Sequence, residues 1–357
     1  MIDPSFSLIL PFLQTPNEKI LWVVDENAQG VAGHIRNNEK LRCITNRYDI
    51  FEEMNGAGID SAFSDYDFSD IVDGSLDLFV YRVSKERAVV HHVINNALRC
   101  LTADGRLILV GEKGDGIKGY SDKAGKLFSV KANAKKNGLY YLAQIPKHTD
   151  YESQQQTDCL LDDKCYSSLR PTDALKLKDQ TLELYSKPGQ FGWNKQDQGS
   201  ELLIDTAEQY FSEREFPGSV LDLGCGYGFL TLKTKYWRTT IRVATDNNAA
   251  ALASAKKNFS SASMDVTLYA DDCGKDITDA FDCVLCNPPF HQGFANDSEL
   301  TKKFLSNAAR LISSNGVALF VVNQFIPLEK LAAMYFGSTQ QLASDGQFKI
   351  VVLRRNT

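Results

Sequence analysis

Asn287-Pro288-Pro289-Phe290 is the stretch of this 357-residue chain whose residue types and order point most directly at chemistry. Two prolines hold φ and supply no N–H, so they make a stiff turn that presents acceptors only. The Asn287 side-chain oxygen and the Pro288 carbonyl can each accept one N–H of an exocyclic amine, holding its lone pair toward an electrophile. An amine on a purine ring is a weak nucleophile because that lone pair is delocalised. The help it needs is mainly positioning, worth about 7–11 kcal/mol in well-oriented reactions. Phe290 can stack on the flat ring for roughly 1–3 kcal/mol, or pack in a core. His291 can touch the same target or sit in a solvated loop.

A second constellation supplies a place for the methyl donor. Val220 to Gly228 reads as an apolar strand that runs into Gly224, Gly226 and Gly228, where the backbone can turn sharply and approach a ligand closely. The spacing is G-x-G-x-G, not the G-x-G-x-x-G of dinucleotide enzymes. Asp222 stands two residues before the first glycine. Asp246 ends the next strand and can accept both hydroxyls of a ribose, in NAD or S-adenosylmethionine alike, or cap a helix. Asp272, of the pair Asp271-Asp272, can accept from an adenine amino group or sit in a surface turn. Taken with the Asn-Pro-Pro turn, the expected cofactor is S-adenosylmethionine. Its expected contacts are Asp222, Gly224, Cys225, Gly226, Asp246, Asn247 and Asp272, and the expected catalytic set is Asn287, Pro288, Pro289 and Phe290.

Two α/β units must position these residues, because apolar β-rich runs alternate with helical stretches twice. In residues 1–147 the expected strands are Ile20–Val24, Leu41–Thr45, Leu76–Val83 and Leu107–Gly111, with a helix from Lys85 to Leu101 and a hairpin around Gly138–Ile145. Residues 148–175 are polar and read as a linker or insertion. Residues 176–357 then offer strands at Thr181–Ser186, Ser219–Leu223, Ile241–Thr245, Val266–Tyr269, Phe281–Cys286 and Val317–Val322, a helix at Gly199–Phe211, another after Gly228, and a closing hairpin around Phe348–Leu353.

Composition narrows the class further. A 43% hydrophobic content suits two ordinary cores. With no apolar run of eighteen residues and no secretory start, a soluble cytoplasmic chain without membrane contact is expected. The eight cysteines are scattered and read as reduced thiols; Cys283-x-x-Cys286 lies in an apolar strand, so no metal is expected. A net charge of −6 does not advertise nucleic-acid binding. Yet Lys113, Lys118, Lys123, Lys126, Lys131, Lys135 and Lys136 crowd one segment, as a solvated face or an RNA-facing patch.

The second unit resembles the class I methyltransferases, and most closely the ribosomal RNA small subunit methyltransferase C family. The resemblance rests on Lys187-Pro188-Gly189-Gln190-Phe191, the Gly199-Ser200 helix start, the glycine loop, Asn287–His291, Asn323-Gln324-Phe325-Ile326-Pro327 and Gly346-Gln347-Phe348-Lys349. It implies two tandem Rossmann-like class I methyltransferase domains, the N-terminal one degenerate and used for RNA binding and support. In that first domain Asp25-Glu26-Asn27-Ala28-Gln29-Gly30 lacks the glycine triplet, and Leu78-Phe79-Val80-Tyr81 ends without Asn-Pro-Pro. The implied activity is methylation of a guanine N2 amine in 16S ribosomal RNA, in the small subunit, by a monomer. Phe191 resembles a position that closes over the pocket, and with His291 makes the expected substrate-binding pair. Rival readings are methylation of large-subunit ribosomal RNA, glutamine N-methylation of a translation factor, DNA adenine methylation, and a non-catalytic RNA-binding scaffold.

Overall fold

The structure is a computed structural model that describes residues 3–36, 38–147, 160–190, 192–193, 197–289 and 294–355, with residues 294–298 in backbone only. The chain divides into two compact units, Met1–Ser168 and Leu169–Thr357.

The first unit runs α1 (Phe6–Leu13), β1 (Ile20–Val24), β2 (Leu41–Thr45), α2 (Tyr48–Gly56), β3 (Asp60–Phe63), β4 (Leu76–Arg82), α3 (Arg87–Cys100), β5 (Leu101–Glu112), α4 (Ile117–Leu127), β6 (Lys135–Asn137) and β7 (Tyr140–Pro146). Its seven strands are ordered β3-β2-β1-β4-β5-β7-β6. The first five are parallel and β7 returns antiparallel. All five residues of β1 are buried, as a strand covered by helices on both faces requires. α4 forms because Ile117, Tyr120, Ser121, Ala124 and Leu127 recur at helical spacing and make a buried stripe. That leaves Lys118 and Lys126 outside, with Lys118 over the Tyr141 ring at 4.7 Å. Lys123 donates to His91 Nε2 at 3.2 Å, and burial holds that imidazole below its usual pKa.

The polar stretch 148–175 is described from Leu160 onward. Residues 148–159 fall outside the described residues. Leu161 exchanges hydrogen bonds of 2.9 and 2.8 Å with the Asn95 side chain on α3, and Tyr166 is fully buried with its hydroxyl donating to Asp65 at 2.6 Å. Arg170–Lys176 forms β8, which pairs with β9 (Thr181–Ser186) as a separate two-stranded sheet.

The rest of the second unit is α5 (Gln198–Ser212), β10 (Ser219–Leu223), α6 (Phe229–Lys233), β11 (Ile241–Asp246), α7 (Ala249–Ser261), β12 (Thr267–Ala270), β13 (Phe281–Cys286), α8 (Phe294–Leu311), β14 (Ile312–Asn323), α9 (Leu328–Ala332), β15 (Ser338–Ser344) and β16 (Phe348–Arg354). Its sheet order, β12-β11-β10-β13-β14-β16-β15, repeats that of the first unit strand for strand. One face packs on Leu203, Ala207 and Phe259, from α5 and α7; the other packs on Leu305, Ala308 and Leu328, from α8 and α9. Cys283 belongs to the first of these clusters and Cys286 to the second. Three positions apart on one strand, the two thiols face opposite sides of the sheet, so they cannot grip one ion.

The repetition extends to single hydrogen bonds. Lys19 N–H donates to Asp77 as Ser219 N–H donates to Asp282. Arg47 N–H donates to the Thr45 side chain as Asn248 N–H donates to Asp246. The register breaks between Leu76 and Leu78 as it does between Phe281 and Cys283. Counting from these matches sets Trp22 at the place of Asp222, Glu26 at that of Gly226, Thr45 at that of Asp246 and Arg82 at that of Asn287. In the first unit, then, a buried indole and a guanidinium stand where the second has a carboxylate and an amide. Arg82 faces Asp3, Asp25 and Asp115 at 3.3–3.7 Å. Burial pushes the Asp25 carboxyl up to about 7, Glu26 adding to the rise and Arg82 opposing it.

Arg82→Ala leaves these carboxylates without their cation. Urea unfolding of the full chain should show a loss of about 3 kcal/mol or more. The loss should be larger at pH 8 than at pH 6, because Asp25 then ionises without its counter-charge. An unchanged profile would mean that the cluster does not hold the unit together.

Candidate functional site

The carboxyl ends of β10, β11 and β13 lie side by side, where open α/β sheets hold ligands. The glycine loop leaves β10 with Gly224 at φ 82° and Gly228 at φ 89°. A Cβ on Gly228 would come within 2.5 Å of the Phe259 ring, so this turn admits only glycine. Strand β11 braces the loop: Gly224 and Cys225 N–H groups donate to the Thr245 carbonyl at 3.0 and 2.8 Å. Gly226 N–H donates to Asp246 Oδ2 at 2.8 Å, while Asp246 Oδ1 accepts from Asn248 N–H, also at 2.8 Å. Asp246 thus fixes the loop from both of its oxygens. Asn247 is half-buried beside it, and Cys225 is buried within the loop.

Asp222 is fully buried. Its Oδ2 accepts from the Thr231 N–H at 3.0 Å and the Thr231 hydroxyl at 2.7 Å. Among the described residues Oδ1 has no hydrogen-bond partner. Burial pushes this carboxyl up to about 7; Thr231 opposes the rise and Asp246 adds to it. An unpartnered buried carboxylate oxygen fits a cationic ligand, since transfer of charge into a dry site needs a counter-charge.

Asp271 and Asp272 differ. Asp271 accepts backbone N–H groups of Lys275 and Asp276 at 2.8 and 3.1 Å, so it shapes its own loop. Asp272 is buried and ion-paired with Lys303 through Oδ2.

Asn287 follows β13 and is half-buried, with Pro288 buried and Pro289 exposed. Its Nδ2 donates to Asp197 Oδ2 at 2.7 Å and to Ser200 Oγ at 2.8 Å. Both partners belong to the start of α5, where Asp197 Oδ2 also caps the helix by accepting from Ser200 N–H at 2.8 Å. The structure therefore brings Asp222, Gly224, Cys225, Gly226, Asp246 and Asn287 onto adjoining strand ends. Phe191, Phe290 and His291 lie outside the described residues.

Four contributors are missing from the sequence reading. Asn248 caps α7 through Ala250 N–H at 2.8 Å and donates to the Gly189 carbonyl at 3.0 Å, tying down the segment before Phe191. Thr231 holds Asp222, and Asp197 and Ser200 hold Asn287. An acid before a helical run signals a cap, but nothing in the order of residues says that it also meets a side chain ninety positions away.

Comparison with known proteins agrees with the two-unit fold. The family described as Methyltransferase small domain matches residues 181–352, and Methyltransferase small domain N-terminal matches residues 9–157. The chain is 30% identical over 309 residues to Ribosomal RNA small subunit methyltransferase C of Actinobacillus succinogenes, covering 84% of each chain. It is 29% identical over 288 residues to the protein of that name from Haemophilus influenzae (strain PittGG), covering 79% of this chain and 81% of the relative. Among solved structures, the T. thermophilus 16S rRNA N2 G1207 methyltransferase (RsmC), in complex with AdoMet and guanosine, shares the fold at TM-score 0.81 and 22% identity. That match covers 99% of this chain and 92% of that one.

Proposed function

The chain belongs to the ribosomal RNA small subunit methyltransferase C family, and from that premise we propose that it transfers a methyl group from S-adenosylmethionine to the exocyclic N2 amine of a guanine in 16S ribosomal RNA. The observation that carries the chemistry is the Asn287 amide, whose nitrogen is held by Asp197 and Ser200 so that its oxygen is left to accept.

When bound, S-adenosylmethionine supplies a methyl made electrophilic by its sulfonium. The residues that would hold it are those at the ends of β10, β11 and β12. Asp222 Oδ1 offers a counter-charge to a cationic group, the Asp246 carboxylate at the end of β11 faces the ribose hydroxyls, and the glycine loop lets backbone come close. Cys225 and Asn247 line the same turn, and Asp272 keeps a second oxygen for an adenine amine. Asn287 Oδ1 and the Pro288 carbonyl accept the two N–H groups of the guanine amine and point its lone pair outward. The amine's excess proton leaves to water or through these acceptors. Pro289 stiffens the turn. In this reading Phe290 stacks on the base, His291 contacts it and Phe191 covers the pocket. The guanine must leave its stack, at a cost of a few kcal/mol.

Exposed Lys113, Lys118, Lys126, Lys131, Lys135 and Lys136 of the first unit support phosphate contact despite the net charge of −6. We assign the first unit, Met1–Ser168, to RNA binding and support and the second, Leu169–Thr357, to catalysis; the expected linker 148–175 shortens accordingly, since Leu161 and Tyr166 pack into the first unit and β8 belongs to the second. A monomer acting in the cytoplasm on the small subunit completes the reading. Among the described residues no helix is long and apolar enough to cross a membrane.

Incubation with tritiated S-adenosylmethionine and separated ribosomal subunits tests the substrate. Label should enter small-subunit RNA. Label confined to protein would favour glutamine methylation, and label in large-subunit RNA would move the target to the other subunit.

A further inference from the structure

We infer that Asp197 is a positioning residue that sets which end of the Asn287 amide faces the target amine. The inference rests on the proposed amine methylation and adds to it the device that makes Asn287 an acceptor.

An asparagine side chain carries a donor end and an acceptor end of nearly equal shape. Rotation by half a turn exchanges them. At the end of β13 only the oxygen is useful, because a guanine amine brings N–H groups and an NH2 facing it would repel. Something must therefore distinguish the two ends. Ser200 Oγ, 2.8 Å from Asn287 Nδ2, cannot do so alone, since a hydroxyl accepts or donates with equal ease. Asp197 can. An ionised carboxylate only accepts, and at 2.7 Å it would meet an amide oxygen with like charge on like charge. The Asn287 nitrogen is thereby held on the α5 side, and the oxygen points away from it.

The carboxylate is in turn held still. The same Oδ2 that meets Asn287 accepts from Ser200 N–H at 2.8 Å in the first turn of α5, so the helix start anchors the orienting atom. Gly199 lies tight against it: a Cβ there would stand 3.2 Å from Asp197 Oδ2 and 3.2 Å from the Phe348 ring. One oxygen thus joins two tasks, capping α5 and orienting an amide ninety residues later.

Serine and asparagine separate the tasks. Both cap a helix about as well as aspartate. Serine is too short to reach Asn287, whereas asparagine keeps an acceptor at the right place. Asp197→Ser should therefore lower kcat by about 10- to 100-fold while leaving the KM for 16S RNA, the Kd for S-adenosylmethionine and Tm nearly unchanged. Asp197→Asn should recover kcat to within a few-fold of the native enzyme. In an Asn287→Ala background, Asp197→Ser should cause no further loss. A native kcat in Asp197→Ser would overturn the inference and leave Asp197 a helix cap. So would a loss of Tm and cofactor affinity in step with kcat, or failure of Asp197→Asn to rescue. If the native chain itself methylates no amine, the proposed function fails instead, so the two failures are told apart by the wild-type control.

Discussion

Asn287→Ala should lower kcat for RNA methylation by about a thousandfold, while the Kd for S-adenosylmethionine changes by less than about threefold. Removing one preorganised hydrogen-bond partner from a reacting centre typically costs about 10²–10³ in kcat, and here the same atom also directs the lone pair. The cofactor contacts proposed above lie at the ends of β10, β11 and β12, and Asn287 follows β13. The loss should therefore appear in turnover and not in cofactor binding. Single-turnover assays with calorimetric titration separate these quantities. Equal losses in both would mean that Asn287 supports the cofactor pocket and does not handle the amine.

The second large effect concerns Asp222. Its carboxyl sits at about 7 in the folded protein, against 3.8 for an ordinary aspartate, chiefly because it is buried. A folded pKa above the unfolded one means that the native state holds a proton which the unfolded chain has released. Stability linked to Asp222 is thus full below about pH 4 and falls as pH rises toward 7. A shift of about three units corresponds to at most about 4 kcal/mol. Asp222→Asn cannot ionise, so relative to wild type the variant should gain stability between pH 5 and pH 8 in urea unfolding without ligand. The gain in the free protein comes with a loss in binding. Without an anion to meet a cationic group, the Kd for S-adenosylmethionine should rise by about 10- to 100-fold, the range for a hydrogen bond to a charged group. Parallel pH curves for the two proteins, with equal affinities, would show that Asp222 carries neither role.

The alternation of strands and helices was plain in the sequence because both sheets are buried on both faces, and such strands read as continuous apolar runs. Ile20–Val24 and Phe281–Cys286 appear in the structure with the bounds expected of them. Strand β3 escapes that logic. Asp60-Ser61-Ala62-Phe63 has a single large apolar side chain and lies at the sheet edge, where less burial is required. Strands β5 and β14 extend six and five residues before the expected Leu107 and Val317, across polar positions such as Asp104 and Asn315 that are exposed. Helix α1 is hidden by Pro11 within it.

In the site, residue type and spacing point to the glycine loop, Asp246 and Asn287, because each ends a strand or follows one directly. What spacing cannot carry is the contact between distant segments. Trp22 and Arg82 mark the first unit as degenerate only once the hydrogen bonds align them with Asp222 and Asn287. The pairing of Asp272 with Lys303, thirty-one residues on, is likewise invisible in the order of residues.

The central claim is the identity of the methylated atom. Purified chain, S-adenosylmethionine and small ribosomal subunits lacking the modification should yield N2-methylguanosine in 16S RNA on nucleoside digestion and mass spectrometry, one methyl per RNA, and none with Asn287→Ala. Methyl groups found only on another base position, on protein or on 23S RNA would contradict the account.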